Sequence, residues 1–138
     1  MARILAIDYG LKRTGIAVTD PLQIIATALT TIDSREMINF LKNYFSTEHV
    51  ELIIIGEPKN WDETDTHASP LVRAAIVRLK KEFPAIPLIT VDERYTSKLA
   101  SQAMVQMGLK KKDRQNKKII DQVAATIMLQ EYLVSINK

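Results

Sequence analysis

Asp8 ends the apolar run Ile4-Leu5-Ala6-Ile7 and is followed by a turn bracketed by Gly10 and Gly15, then by a second apolar run, Ile16-Ala17-Val18. A carboxylate at the end of a buried strand is costly unless it is paired or holds a metal. Two other acids occupy comparable places. Glu93 follows the short run Leu88-Ile89-Thr90-Val91-Asp92, and Asp121 lies between Ile120 and Gln122 in what reads as the first turn of a final helix. Three carboxylates meeting at one point would repel one another, and divalent cations relieve such repulsion. An all-oxygen ligand set selects hard ions, Mg²⁺ or Mn²⁺. Each acid also has an ordinary explanation. Asp8 could cap a turn, Glu93 could pair with Arg94 at the surface, and Asp121 could meet the positive end of a helix dipole. Spacing alone does not join them, so the question passes to the elements that carry them.

Residues 3–8, 14–19 and 24–32 have the β-branched and aliphatic bias of strands, with Pro21 in the second turn. Short loops make these an antiparallel meander. From Ser34, a plausible N-cap, Met37, Ile38, Leu41 and Phe45 fall at helical spacing. Glu51 to Ile55 is a buried, parallel strand closed by Gly56 and Pro58. A polar stretch, 59–68, precedes a helix opened by Ser69-Pro70 and striped by Val72, Ala75, Ile76, Leu79 and Phe83. Leu88 to Val91 is the fifth strand. Helices are expected over 97–107, stopped by Gly108, and over 119–136. The order predicts an α/β fold: a mixed five-stranded sheet, three antiparallel strands then parallel ones, with helices on both faces. With the first strand central, the carboxyl ends of strands one, four and five share one edge. Asp121 would share a helix face with Ala124, Ala125 and Met128, and the two alanines would let that helix approach the sheet closely.

With 138 residues, 46% of them hydrophobic and 25% charged, the chain suits one domain, 1–138, with an adequate core. It has no cysteine, which excludes disulfides and thiolate metal sites. The amino terminus leads directly into a strand and no apolar stretch is expected to approach the ~18 residues of a membrane span, so the expected location is the cytoplasm and no membrane partner is expected. The net charge of +3 says little, but its distribution says more. Lys110, Lys111, Lys112, Arg114, Lys117 and Lys118 crowd into nine residues with one acid, Asp113. Just before a helix start, cations are disfavoured by the dipole. They read either as a solvated loop or as contacts to a phosphate backbone. Lys12 and Arg13 in the first turn could reach a phosphate or simply be exposed. Arg94 could fix a scissile phosphate or orient Glu93. Trp61 could stack on a base or be partly buried. His49 and His67 lack ligand spacing.

The run Asp8-Tyr9-Gly10-x-Lys12-Arg13-x-Gly15-x-Ala17-x-x-Asp20 closely resembles the opening motif of the YqgF/RuvX family. Gly56-x-Pro58, Asp92-Glu93-Arg94 with Thr96, and Ile120-Asp121-x-x-Ala124-Ala125 with Leu129-Gln130 continue the match in order along the chain. The resemblance implies a ribonuclease-H-like fold and a role either in maturing the 5′ end of precursor 16S ribosomal RNA or in resolving Holliday junctions. It implies that Asp8, Glu93 and Asp121 are metal-binding catalytic carboxylates. The chain departs from the family at Glu57, where an apolar residue is usual, and near Glu63, where a glycine is usual. Glu57 is either a fourth ligand or points away, since strand residues alternate in direction.

The reading that follows is a nuclease in which two Mg²⁺ or Mn²⁺ ions, about 3.5–4 Å apart, activate water for phosphodiester hydrolysis. Its partner would be precursor rRNA or branched DNA, and symmetric cleavage of a four-way junction would call for a homodimer. Two other readings are carried. The Asp-x-Gly turn is similar to the phosphate loop of sugar kinases and actin-like ATPases, but those need two such domains. A non-catalytic nucleic-acid-binding module would use the basic stretch without needing metal.

Overall fold

The computed structural model of the chain describes residues 2–57, 69–92 and 117–136. Five strands form one sheet: β1 (Arg3–Tyr9), β2 (Arg13–Thr19), β3 (Ala26–Asp33), β4 (Val50–Glu57) and β5 (Leu88–Asp92). Their spatial order is β3-β2-β1-β4-β5. The first three strands pair antiparallel, and β1, β4 and β5 run parallel. The central place of β1 and the mixed pairing agree with the sequence expectation.

Helices α1 (Met37–Thr47) and α2 (Ser69–Glu82) cover one face of the sheet, and α3 (Lys117–Ile136) covers the other. Strand alternation sorts β1 between the two layers. Leu5 and Ile7 join Leu41, Val72 and Leu79 under α1 and α2, whereas Ile4 and Ala6 join Ala125, Met128, Leu129 and Leu133 under α3. Ile53, Ile54 and Ile55 are buried because both faces of β4 are covered, which explains three consecutive isoleucines. Phe45 of α1 meets Phe83 edge-to-face at 4.9 Å, and Lys42 pairs with Glu82 at 3.3 Å, so α1 and α2 are tied at their carboxyl ends.

Several boundaries differ from the sequence reading for identifiable reasons. The third strand starts at Ala26, not at residue 24, because the Asp20 carboxylate accepts the N–H groups of Leu22, Ile24 and Ile25 at 3.2, 2.8 and 2.8 Å. Those bonds, that from Ile25 foremost, hold the Asp20 carboxyl below its usual range. Along β3 the register against β2 shifts between Ile16 and Ala17, leaving Leu29 as an extra residue. Ser34 is not the cap of α1. A 3₁₀ turn, Ser34–Glu36, comes first, and its cap is Asp33, whose carboxylate accepts from the Arg35 N–H at 2.9 Å. The Arg35 guanidinium and N–H hold the Asp33 carboxyl down at about 2.

Helix α3 begins at Lys117, so Lys117 and Lys118 belong to its first turn rather than to a preceding loop, and Asp121 lies beyond that turn. By length and composition Ile119–Ile136 could cross a membrane, which corrects the expectation that no such stretch exists. Its apolar residues instead bury Ala124, Ala125, Met128, Leu129 and Leu133 toward the sheet.

Close approach of α3 depends on Gly15. A Cβ built there would lie 3.0 Å from the Asp121 Cβ and would overlap the Asp121 carbonyl. Gly15→Ala should therefore destabilise the fold by about 1–3 kcal/mol, as overpacking does. Denaturant unfolding would measure it, and an unchanged midpoint would show that α3 can move off without cost.

Candidate active site

The turn between β1 and β2 is built before it is functional. Gly10 is required because a Cβ there would stand 2.7 Å from the Arg13 carbonyl oxygen. The turn is then held from the far side by Ser34, which is buried. Its hydroxyl donates to the Gly10 carbonyl at 2.5 Å, and its N–H donates to the Lys12 carbonyl at 3.0 Å. The Thr14 and Ser34 hydroxyls lie 2.8 Å apart, and Thr14 is fully buried. Ser34 is thus a positioning residue that a capping argument misses. The available signal is its distance from a helical stripe that starts only at Met37.

On the α3 side, Asp8 is set by strand alternation on the face of Ile4 and Ala6, the face that α3 covers. Its partner across β2 is Gly15, the residue against which the Asp121 backbone rests. Asp121 therefore stands over the strand neighbour of Asp8. Two carboxylates that lie 113 positions apart along the chain are brought together by one glycine. The Asp121 carboxylate accepts from Arg13 Nε at 3.0 Å, with both side chains part-exposed. Gly10, Leu11, Lys12, Arg13 and Asp121 line an open cleft of about 370 Å³.

Glu57 is the last residue of β4 and is in register with Asp92 of β5. Alternation sets it with Ile53 and Ile55, on the α1 and α2 face, opposite to that of Asp8. Lys12 is exposed in the turn. Glu93, Arg94, Lys110, Lys111, Lys112 and Arg114 lie outside the described residues, as do Trp61 and His67. Among the described residues no three acidic or histidine side chains stand together as a metal site. What they contribute is the pair Asp8 and Asp121. Of the two, Asp121 lines the cleft and Asp8 lies on the neighbouring strand, and carboxylate oxygens suit Mg²⁺ or Mn²⁺ rather than a softer ion.

Comparison with known proteins finds relatives over nearly the whole chain. A family model described as "RuvX: Holliday junction resolvase" matches residues 2–135. A Flavobacterium psychrophilum protein named "Putative pre-16S rRNA nuclease" is 53% identical over 133 residues, covering 96% of this chain and 97% of that protein. A Bacteroides thetaiotaomicron protein of the same name is 52% identical over 135 residues, covering 98% of each. Among solved structures, Thermus thermophilus RuvC superposes with a TM-score of 0.56 at 12% identity, over 98% of this chain and 96% of that one. RuvC in complex with a Holliday junction substrate gives 0.55 at 14% identity, over 99% and 96%. At such identity the likeness is one of fold, the ribonuclease-H-like fold. With sequence similarity running nearly end to end, and with the motif residues Asp8, Gly10, Gly15 and Asp121 built into one corner of that fold, the chain belongs to the RuvX family.

Proposed function

We propose that this protein is a divalent-metal-dependent nuclease that hydrolyses phosphodiester bonds in processing the 5′ end of precursor 16S rRNA. The observation that carries the reading is the placement of Asp121 over Gly15, beside Asp8. Relatives at about half identity carry the rRNA-nuclease name over almost their whole length, which favours RNA over branched DNA. Asp8 and Asp121 would hold the metal, with Glu93 as the third carboxylate. A bound Mg²⁺ or Mn²⁺ supplies Lewis acidity, which lowers the pKa of water and neutralises charge on the leaving oxygen. The chain itself positions and neutralises. The turn held by Ser34 keeps Lys12 and Arg13 at the rim of the cleft, where their charges suit a phosphate. Gly15 fixes the height of Asp121 above the sheet, and the buried layer below α3 keeps that height constant.

Cleavage of precursor 16S rRNA and of a four-way DNA junction, side by side in Mg²⁺ and Mn²⁺, tests the assignment. Precursor RNA should be cut at a defined 5′ site. Selective cutting of the junction would replace the RNA reading with junction resolution. Asp8→Asn and Asp121→Asn should each lower the rate by more than about 100-fold while circular dichroism stays unchanged, since losing even an outer-shell partner of a metal costs about 10–100-fold. Most of the activity surviving in a folded Asp8→Asn protein would refute the role of Asp8.

A metal that binds only the folded state raises the unfolding temperature. Added Mn²⁺ should therefore stabilise the wild-type protein and leave the Asp8→Asn/Asp121→Asn double variant unmoved. An equal shift in both would place the metal elsewhere.

The basic stretch supplies the remaining phosphate-binding charge in this reading. Replacing Lys110, Lys111 and Lys112 by alanine should weaken binding to RNA of any sequence. It should also flatten the salt dependence. The log–log slope should fall by up to about 0.7 for each phosphate no longer neutralised on a single strand, or about 0.9 on duplex DNA. Fluorescence anisotropy over a salt series reads this. An unchanged slope would shift the backbone grip to Lys12 and Arg13.

A further inference from the structure

The Arg13–Asp121 pair joins a residue proposed to grip a phosphate to a residue proposed to hold a cation. Each serves its end less well while they hold each other. We infer that Arg13 is a positioning residue with two alternative partners. It holds the Asp121 carboxylate while no divalent cation is bound there, and passes to the substrate phosphate when one is. The inference rests on the carboxylate site proposed above and adds a coupling between metal loading and substrate grip.

Four observations carry it. The pair is made through Arg13 Nε at 3.0 Å, not by the two-point fork that makes arginine–carboxylate pairs hard to break. The side chains are 33% and 21% exposed, so water can replace either partner. The backbone beneath Arg13 is pinned: Ser34 bonds the Gly10 and Lys12 carbonyls and its hydroxyl meets that of Thr14, so an exchange of partners needs only rotation of the arginine side chain. The space for that rotation is the open cleft that Arg13 and Asp121 line with Lys12.

Charge sets the two states against each other. A guanidinium and a divalent cation at the same carboxylate repel each other, so each weakens the other's hold on Asp121. The arginine also has a use without metal, since its charge offsets part of the repulsion between Asp121 and the neighbouring Asp8. By reciprocity, whatever Arg13 subtracts from metal affinity is returned when metal frees it for a phosphate.

The test is metal affinity without nucleic acid. Titrating Mn²⁺ into wild-type, Arg13→Gln and Arg13→Lys proteins, with free Mn²⁺ followed by electron paramagnetic resonance, gives the three dissociation constants. Arg13→Gln should bind Mn²⁺ about fivefold more tightly than wild type, the factor that corresponds to a part-exposed ion pair of about 1 kcal/mol. Arg13→Lys, which keeps the charge, should stay near wild type. A merely structural arginine would give weaker binding or none of this ordering. Equal or weaker Mn²⁺ binding by a folded Arg13→Gln protein overturns the exchange while leaving the carboxylate site standing. Absence of Mn²⁺ binding in all three overturns the carboxylate site and the exchange with it. A second readout is the gain in affinity for a labelled RNA oligomer on adding Ca²⁺. It should be several-fold larger in wild type than in Arg13→Gln, and an equal gain would show that Arg13 does not change partners.

Discussion

The structure depends on how closely α3 can lie on β2. Packed layers usually sit about 10 Å apart because side chains on both surfaces hold them off. Here the spacers are removed along one line: Gly15 and Ala17 on β2, Ala6 on β1, and Ala124 and Ala125 on α3. The approach at Gly15 is almost backbone to backbone. Larger residues then resume, with Met128, Leu129 and Leu133 filling the space farther along the helix. The helix is therefore pressed down at its Asp121 end, the end that carries one of the carboxylates proposed to hold metal. Under the proposed function, a stability requirement and a functional one are met by the same missing Cβ.

The sheet also separates tasks by face. The α1 and α2 side holds the larger cluster, with isoleucine, leucine, valine and aromatic groups, and sets Glu57 away from Asp8. The α3 side is thinner and carries the acids. The two sides communicate through the Gly10–Arg13 turn, which receives its support from Ser34 at the entrance to α1. A buried hydroxyl that satisfies a turn carbonyl is costly to remove, because the group left behind has no water to turn to. The polar network of the site thus begins on the face opposite to the carboxylates.

Much of this arrangement can be read from residue order. The alternation in β1, the three isoleucines of β4 and the stripe Val72-Ala75-Leu79 are local periodic signals, and each maps onto a buried face. The partnership of Asp8 with Asp121 is legible only through topology, because nothing local links two acids so far apart. The two alanines after Asp121 are the one sequence hint of close packing. What is not legible depends on three-dimensional neighbours. Serine often caps a helix, yet the role of Ser34 is decided by Gly10 and Thr14 approaching from other parts of the sheet. The start of α3 lies two residues earlier than expected, because cations at a helix start argue against helix and here they do not decide the outcome. Asp20, part of a motif in the sequence, organises a turn through three N–H groups that no periodicity announces.

The extra residue at Leu29 has a consequence for how the molecule lives beside other copies of itself. Strand β3 lies at one edge of the sheet, and from Ala26 to Ile32 it carries no charge and no proline. Such an edge is a template on which a foreign strand can add, the first step toward aggregation. The bulge interrupts that template. On either side of Leu29 only three or four residues keep a regular ladder with β2. An incoming strand would find two short docking runs instead of one long run. A chain that lacks the usual lysine guard on its edge is thereby protected by backbone irregularity instead.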